Sequence, residues 1–312
     1  MNRSKRIVRA LKNPRLLIRG FNRLYHRRGG LQTENPGGID IFDEDWDTLI
    51  VLDACRYDMF ESVNRLEGTL SPRISKGSST VEWLQANFAG RNLRDTVYVT
   101  ANPQLEQNRD RWDVELHESI NVWLDDGWDE ATGTVRAETM TDAALDAAEQ
   151  FPNKRLVVHY MQPHYPFVPA ETEFDKDHLR NVDSGGSEPS SENVWNQKFI
   201  GALDVSRDEL WSMYVENLEY VLESVERLLN ILSGKTVVTA DHGNYVGERA
   251  SPIPIREYGH PRGLYDPPVV RVPWLVHKHG TRKDIQTAKV DSEAETAESD
   301  LINERLRDLG YL

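Results

Sequence analysis

The sequence predicts an α/β domain built on a doubly wound, largely parallel β-sheet flanked by helices. From residue 47 onwards, five short apolar runs alternate with helix-like segments, which is typical of parallel strands joined by crossover helices. The chain has 312 residues, enough to bury a sizeable core. Its single cysteine, Cys55, excludes an intrachain disulfide and a cysteine-rich zinc module.

The predicted strands are short and rich in apolar and β-branched residues. They cover residues 48–52, 96–100, 155–158, 236–239 and 269–272. Helices are predicted between them, near residues 80–88, 138–150 and 205–232. In sheets of this kind function collects at the carboxyl ends of the strands, so the polar residues that follow each run are candidates for a functional site.

Three parts are predicted along the chain. Residues 1–40 form a basic amphipathic extension, residues 41–277 the main α/β domain, and residues 278–312 an acidic linker with a last short helix. A polar stretch over residues 171–200 is predicted to be a long surface loop near the site, because loops of this length are usually functional or disordered.

The charge is distributed unevenly. Residues 1–28 hold ten Lys and Arg and no acid, so the other 284 residues carry 27 basic and 51 acidic side chains, a net charge of −24. An acidic body repels nucleic acid, and we therefore expect no nucleic-acid partner. The chain has 27 Arg and 10 Lys against its acidic excess, a balance that indicates a halophilic protein whose self-repulsion is screened by salt.

The basic segment is predicted to form an amphipathic helix that starts at Pro14, with Asn13 as its N-cap. Four arginines recur on one face and three large apolar residues lie roughly opposite. They are Arg15, Arg19, Arg23 and Arg27 on the first face, and Leu17, Phe21 and Leu24 on the other. This helix would either lie on an anionic membrane surface or dock on the acidic body.

The expected location follows from what the chain lacks. No apolar run approaches the length that crosses a bilayer, and the basic start is not followed by an uninterrupted apolar stretch. The sequence therefore predicts a cytoplasmic protein, with peripheral contact to the inner membrane face through residues 1–28.

Acidic and imidazole side chains follow two of the predicted strands. Asp53 comes directly after the first strand, and Asp241 and His242 come directly after the fourth. Two carboxylates and an imidazole at adjacent strand ends can meet around one divalent cation. Alternatively, Asp53 caps the next helix and the other two are ordinary loop residues, but their joint placement favours a metal site.

Three further histidines lie at or beyond strand ends. His159 and His164 bracket the end of the third strand, and His260 lies in a glycine-containing segment after the fourth. His164 and His260 are the better candidates for a functional role. His159 is still within the strand and could equally be a buried, hydrogen-bonded residue.

The segments 51–58, 159–166 and 239–243, in this order and spacing, resemble the alkaline phosphatase and sulfatase superfamily, especially its sulfatase-like members. The resemblance covers about residues 44–276 and implies an alkaline phosphatase-like fold, with residues 41–277 as the catalytic domain. It also implies one or two divalent ions, either Zn, Mn, Mg or Ca.

The same resemblance implies roles for individual residues. Asp53, Asp241 and His242 would hold a metal, and His164 and His260 would bind a second metal or the substrate oxyanion. We accordingly assign His260 to the metal ligands and His164 to the catalytic residues.

The resemblance further implies a nucleophile at a helix N-terminus, either a hydroxyl or a formylglycine. The Cys/Ser-x-Pro/Ala-x-Arg sequence from which sulfatases make formylglycine does not occur, and Cys55 is followed by Arg-Tyr-Asp. The candidates are Ser78 and Thr80, ahead of Ser79, at the start of the helix predicted near residue 80. Thr80 could instead be the N-cap, which would leave Ser78 to attack.

These observations lead to a functional expectation with one alternative. We expect a metal-dependent hydrolase or transferase that acts on phosphate or sulfate esters through a Ser or Thr nucleophile. Its substrate would be a small-molecule, glycan-linked or lipid-linked ester. The alternative is a catalytically weak sulfatase-like protein that binds an anionic glycan or a lipid headgroup.

Overall fold

The computed structural model describes residues 14–170, 194–287 and 299–311. In these ranges the chain forms a mixed α/β fold around a seven-stranded, largely parallel sheet, as the sequence predicts. None of the described helices is long and apolar enough to cross a membrane.

The helices and strands are numbered in chain order. The helices are α1 Pro14–His26, α2 Tyr57–Val63, α3 Thr80–Phe88, α4 Gln104–Trp112, α5 Ala137–Gln150, α6 Val194–Ile200, α7 Arg207–Ile231, α8 Pro267–Val270 and α9 Ser299–Asp308. The strands are β1 Thr48–Leu52, β2 Thr69–Ile74, β3 Asn92–Thr100, β4 Glu115–Asn121, β5 Arg155–Tyr160, β6 Gly234–Thr239, β7 Tyr245–Arg249, β8 Arg256–Gly259 and β9 Arg271–His279.

The main sheet has the strand order β2-β9-β6-β1-β5-β3-β4. The neighbours from β6 to β4 pair in parallel, whereas β9 runs antiparallel to both β6 and β2. Strands β7 and β8 form a separate antiparallel pair. The parallel strands therefore end at one edge of the sheet, which brings the residues that follow them close together.

Both faces of the sheet are covered, which explains the continuous apolar runs of its central strands. On β1, Ile50 and Leu52 point into a core that includes residues of α2, α5 and α7. The alternate residues Leu49 and Val51 point to the other side, into a core that includes residues of α3 and α4. Helices thus flank the sheet on both sides, as in a doubly wound fold.

The prediction of a strand over residues 269–272 is wrong in its position. Residues Pro267–Val270 form the short helix α8, and β9 starts at Arg271 and continues to His279. Two prolines at the first turn explain the difference. The N–H groups of a first helical turn have no partner within the helix, so proline loses no hydrogen bond there, and its fixed φ is already helical.

The prediction of a loop over residues 171–200 is wrong for its last part. Residues Val194–Ile200 form α6, and Trp195 and Phe199 of this helix are buried in the core. Residues 171–193 of the predicted loop lie outside the described residues, as do residues 288–298 of the predicted linker.

Helix α1 packs on the body of the protein through polar side chains. The guanidinium of Arg19 donates two hydrogen bonds to the buried carboxylate of Glu257, one of them of 3.0 Å from Nε to Oε2. It also lies 3.6 Å from the ring centroid of Phe199. Asn22 donates from Nδ2 to the carbonyl of Ile253 at 2.9 Å. The predicted N-cap, Asn13, lies outside the described residues.

We expect Arg19→Ala to lower the free energy of unfolding by about 3 kcal/mol, because it leaves the carboxylate of Glu257 buried and unpaired. Chemical denaturation monitored by circular dichroism measures this. The control is Phe21→Ala in the same helix, where the side chain is 53% exposed and the expected change is within about 0.5 kcal/mol. Equal effects of the two substitutions would contradict the assigned role of Arg19.

Candidate active site

The candidate site lies where the parallel strands end. The neighbouring strands β6, β1, β5 and β3 each supply one buried polar side chain at or just beyond the strand end. These are Asp241, Asp53, His159 and Asn102. The alternative in which Asp53 caps the next helix is wrong, because Arg56 is the N-cap residue of α2.

Asp241 is held in a fixed orientation by backbone donors. Its Oδ1 accepts hydrogen bonds from the N–H groups of Ala54, at 3.0 Å, and His242, at 2.8 Å. Its Oδ2 is buried and has no hydrogen-bond partner among the described residues. One carboxylate oxygen is thus fixed by the fold, and the other remains available to a ligand.

Asp53 is also completely buried, and its two oxygens differ in the same way. Oδ2 accepts hydrogen bonds from Tyr311, at 2.8 Å, Asn102, at 3.0 Å, and Thr80, at 3.2 Å. Oδ1 has no hydrogen-bond partner in the described part of the chain. Burial, and then the nearby Asp241 carboxylate, raise the pKa of Asp53 well above its usual range.

The Nε2 atom of His242 faces both carboxylates. Its Nδ1 lies 2.8 Å from the carbonyl of Gly243, which can only accept, so Nδ1 carries the proton. In the neutral ring the lone pair is then on Nε2, which lies 3.3 Å from Asp241 Oδ2 and 3.7 Å from Asp53 Oδ1. These are the two carboxylate oxygens without a hydrogen bond.

His159 approaches the same carboxylates from β5. Its Nδ1 lies 2.7 Å from the hydroxyl of Tyr98, and its Nε2 lies 3.8 Å from Asp53 Oδ2 without a hydrogen bond. Burial lowers the pKa of His159 to about 4, so its ring is neutral near pH 7. The tautomer that donates from Nδ1 to Tyr98 leaves a lone pair on Nε2.

These side chains fit a divalent cation. Asp53, His159 and Asp241 each offer a ligand atom, and the three atoms lie within 4.8 Å of one another. A cation would satisfy buried oxygen and nitrogen atoms that otherwise lack partners, and it would offset the repulsion between the two carboxylates. The structure thus places the predicted ligand His242 beside these carboxylates, and it adds His159, which the sequence analysis ranked lower.

His164 and His260 form a pair next to this group. Their Nε2 atoms lie 3.1 Å apart, and the ring of His260 stacks on that of His242 with the centroids 4.4 Å apart. Nδ1 of His164 donates to the carbonyl of Tyr165, so Nε2 of neutral His164 accepts and Nε2 of His260 donates. Burial lowers the pKa of both rings, that of His164 to about 4.

The role of these two histidines stays a prediction. His260 was predicted to be a metal ligand, but the three-residue group that could hold an ion does not include it. Its recorded contacts are with the rings of other side chains rather than with the two carboxylates.

Thr80 is the first residue of helix α3, and its hydroxyl points into the site. Oγ1 lies 3.2 Å from Asp53 Oδ2 and 3.3 Å from His242 Nε2. The interpretation of Thr80 as an N-cap is wrong, because Ser79 occupies that position. The Thr80 hydroxyl therefore lies at the positive end of a helix dipole and next to two acceptors for its proton.

The other two candidate hydroxyls have different surroundings. Ser78 Oγ donates to Glu82 Oε2 at 2.7 Å and accepts from the N–H of Gly263 at 2.7 Å. Ser78 therefore links the start of α3 to the loop that carries His260. Ser79 Oγ is buried without a hydrogen-bond partner among the described residues, and no contact with the carboxylate pair is recorded for it.

Two residues of the site were not singled out by the sequence analysis. Tyr311, beyond helix α9, donates its hydroxyl to Asp53, and its ring stacks on His164 with the centroids 5.2 Å apart. Asn102 follows β3 and donates to Asp53. The rule that polar residues follow strands could have found Asn102, whereas no local pattern marks Tyr311.

The turn after β1 is strained and contains the only cysteine of the sequence. Ala54 has a φ of +62°, a conformation that costs a non-glycine residue about 1–3 kcal/mol. The hydroxyl of Tyr214 donates to its carbonyl, and Asp241 accepts from its N–H. Cys55 is fully buried, and burial raises the pKa of its thiol, which keeps it protonated and unreactive.

Fold and site together define an α/β protein with a buried cluster of carboxylates and histidines at the ends of its parallel strands. The sulfatase family model matches residues 74–311, and the chain belongs to this family. No curated protein matches the chain at a significant level.

Several solved structures are similar to the chain at low identity. The C-terminal periplasmic domain of EcEptC from Escherichia coli, in complex with Zn, is 12% identical with a TM-score of 0.43, over 73% of this chain and 72% of that one. The corresponding domain of the phosphoethanolamine transferase EptC from Campylobacter jejuni is 12% identical with a TM-score of 0.44, over 73% and 77%. An alkaline phosphatase superfamily protein from Vibrio parahaemolyticus is 13% identical with a TM-score of 0.43, over 89% and 69%.

Proposed function

We propose that this protein is a metal-dependent hydrolase or transferase of phosphate esters, with Thr80 as its nucleophile. One observation carries the proposal. The Thr80 hydroxyl, at the N-terminus of α3, lies 3.2 Å from Asp53 Oδ2 and 3.3 Å from His242 Nε2. A hydroxyl with adjacent proton acceptors, at the positive end of a helix, is suited to attack an anionic ester.

The metal would be held by Asp53 and Asp241, with His242 and His159 as the nitrogen ligands available to it. When bound, a divalent ion offsets the negative charge of the ester and lowers the pKa of a nearby hydroxyl. Asp53, Asp241 and His159 each have one atom held by a hydrogen bond and one without a partner among the described residues. Nε2 of His242 contacts the Thr80 hydroxyl.

The steps of the proposed reaction use side chains and backbone groups of the chain itself. Thr80 Oγ1 gives up its proton to Asp53 Oδ2 and forms a bond to phosphorus, while the bond from phosphorus to the leaving oxygen breaks and that oxygen takes up a proton from solvent. The N–H groups of the first turn of α3 can donate hydrogen bonds to the phosphoryl oxygens. Water or an acceptor alcohol then attacks phosphorus and loses a proton to solvent. The bond from phosphorus to Thr80 Oγ1 breaks, and Oγ1 takes its proton back from Asp53.

Phosphate is preferred to sulfate because of what the nucleophile can do. A formylglycine hydrate expels sulfate by elimination, whereas a threonine ester must be cleaved at its central atom, which is feasible for phosphorus and poor for sulfur. The formylglycine sequence is absent, and Cys55 is a buried, protonated thiol. These observations support a phosphoryl–threonine intermediate.

The test compares 4-nitrophenyl phosphate, bis(4-nitrophenyl) phosphate and 4-nitrophenyl sulfate at several concentrations of Zn²⁺ and Mn²⁺. We expect kcat/KM for a phosphate ester to exceed that for the sulfate by about a hundredfold or more. Mass spectrometry of acid-quenched enzyme should find one phosphoryl group on Thr80. A preference for the sulfate, or an aldehyde at Cys55 or Ser78, would contradict the proposal. Bound metal without any turnover would instead favour the alternative function, a catalytically weak protein that binds an anionic glycan or a lipid headgroup.

A further inference from the structure

The surface around helix α1 holds most of the large exposed apolar side chains in the described part of the chain. The described part of the chain has eight large apolar residues with exposed side chains, and five of the eight lie between residues 17 and 31. These five, which we call the apolar face, are Leu17, Phe21, Leu24, Tyr25 and Leu31, with exposed fractions of 53–88%. Four of these side chains lie on one side of α1, and a group of exposed apolar side chains of this kind marks a site of contact with a partner or a membrane.

The orientation of α1 is the reverse of that of an ordinary surface helix. Helices usually bury their apolar residues and expose their polar ones. Here Arg19 and Asn22 are buried against the body, and His26 contacts the carbonyl of Ser251 at 3.1 Å. Because polar side chains fix the helix to the protein, its apolar side faces outward.

We propose that the apolar face binds to an anionic lipid bilayer, with α1 lying in the plane of the membrane surface. Leucine and aromatic side chains on one side of a helix, within a basic segment, are typical of helices that bind at this interface. Tyr25 and Phe21 supply the aromatic rings, and tyrosine is enriched at the level of the headgroups. The proposal goes beyond the proposed function and does not depend on it.

Charge favours a bilayer over a second copy of this chain. Residues 1–28 carry ten basic and no acidic side chains, while the other residues carry a net charge of −24. Arg19 and Arg27 pair with Glu257 and Glu82 on the body, but the other basic side chains of this segment still let an anionic surface attract this end of the molecule and repel the rest. Two copies that met through their apolar faces would bring two basic segments together, which is unfavourable.

The same helix lies next to the elements of the candidate site. A Cβ added at Gly263 would lie 2.6 Å from Cδ of Arg27, so this glycine allows α1 to pack closely on the loop that carries His260. Arg27 also lies 3.9 Å from the carboxylate of Glu82 on α3, which starts at Thr80. Binding through the apolar face would thus place the elements around the site near the membrane surface.

The experiment measures co-sedimentation of the full chain with vesicles of phosphatidylcholine alone or mixed with phosphatidylglycerol, at about 0.15 M salt, where the Debye length is about 8 Å. We expect binding to the mixed vesicles and much weaker binding to phosphatidylcholine alone. The double variant Phe21→Ser and Leu24→Ser should bind the mixed vesicles at least about tenfold more weakly, because two apolar side chains no longer enter the interface.

The matched control is Ile231→Ser at the end of α7, where an isoleucine is 54% exposed far along the chain from α1. It should bind as the parent does, and circular dichroism should be unchanged for all variants. Failure of the parent to bind, equal binding of the double variant, or equal binding to both kinds of vesicle would overturn the proposal. A dimer that the double variant converts to a monomer, seen by light scattering, would instead assign the face to a second copy.

Discussion

Replacement of Thr80 by alanine is expected to reduce kcat by about a thousandfold or more, because no other hydroxyl among the described residues contacts both acceptors and loss of a nucleophile has effects of this size. Thr80 Oγ1 lies 3.2 Å from Asp53 and 3.3 Å from His242, at the start of α3. Metal content should be retained, since the hydroxyl is not one of the atoms that form the metal-binding group. Steady-state kinetics with an aryl phosphate and metal analysis of the purified variant measure the two quantities.

Two control variants separate chemistry from structure. Thr80→Ser keeps a hydroxyl at the helix start and should retain much of the activity. Ser78→Ala removes hydrogen bonds to Glu82 and Gly263, and we expect it to cost about 1–3 kcal/mol of stability while turnover persists. If Ser78→Ala abolishes turnover and Thr80→Ala does not, the nucleophile is Ser78.

The central part of the fold could be predicted from the sequence because its strands carry uniform apolar runs. The predicted bounds of the first strand agree with β1, Thr48–Leu52, and the helix near residues 80–88 agrees with α3. Strands β2 and β4 were missed because they lie at the two edges of the sheet and carry exposed polar residues. Their pairing is set by neighbours rather than by an apolar pattern of their own.

Part of the candidate site could also be predicted from the sequence, because it depends on the same buried strands. Asp53 and Asp241 follow buried strands directly, so their convergence follows from the parallel sheet. Which hydroxyl faces them does not follow from sequence, because Ser78 and Thr80 lie within one turn and their directions depend on where α3 starts. Tyr311 reaches Asp53 only through tertiary packing of α9, across 258 positions in sequence.

Helix α1 shows how sequence reasoning can identify two faces and still leave their partners open. The spacing of the residues predicted a face of four arginines and, roughly opposite, a face with Leu17, Phe21 and Leu24. From the sequence, docking of the helix on the body and binding of the helix to a membrane were treated as alternatives that exclude each other. In the structure Arg19 docks on Glu257 while Phe21 remains exposed, so the helix is free to use each face for a different contact.

A second large effect is expected from Asp241→Asn, which should abolish metal binding and turnover while preserving the fold. Asparagine keeps an oxygen that can accept from the N–H groups of Ala54 and His242, but it lacks the negative charge that holds a divalent ion. Without metal, the variant should be at least as stable as the parent, because Asp53 and Asp241 then no longer repel each other inside the protein.

Thermal unfolding measures both metal binding and stability without metal. One sample contains a chelator, and the other contains Zn²⁺ or Mn²⁺ at about a hundred times its dissociation constant. Metal should stabilise the parent by about 2.7 kcal/mol and leave Asp241→Asn unchanged. The matched control, Asp284→Asn, alters an exposed carboxylate and should keep the full metal-dependent shift. If Asp241→Asn binds metal with unchanged stoichiometry, the ion is held elsewhere, and Asp53, Asp241 and His242 do not form its site.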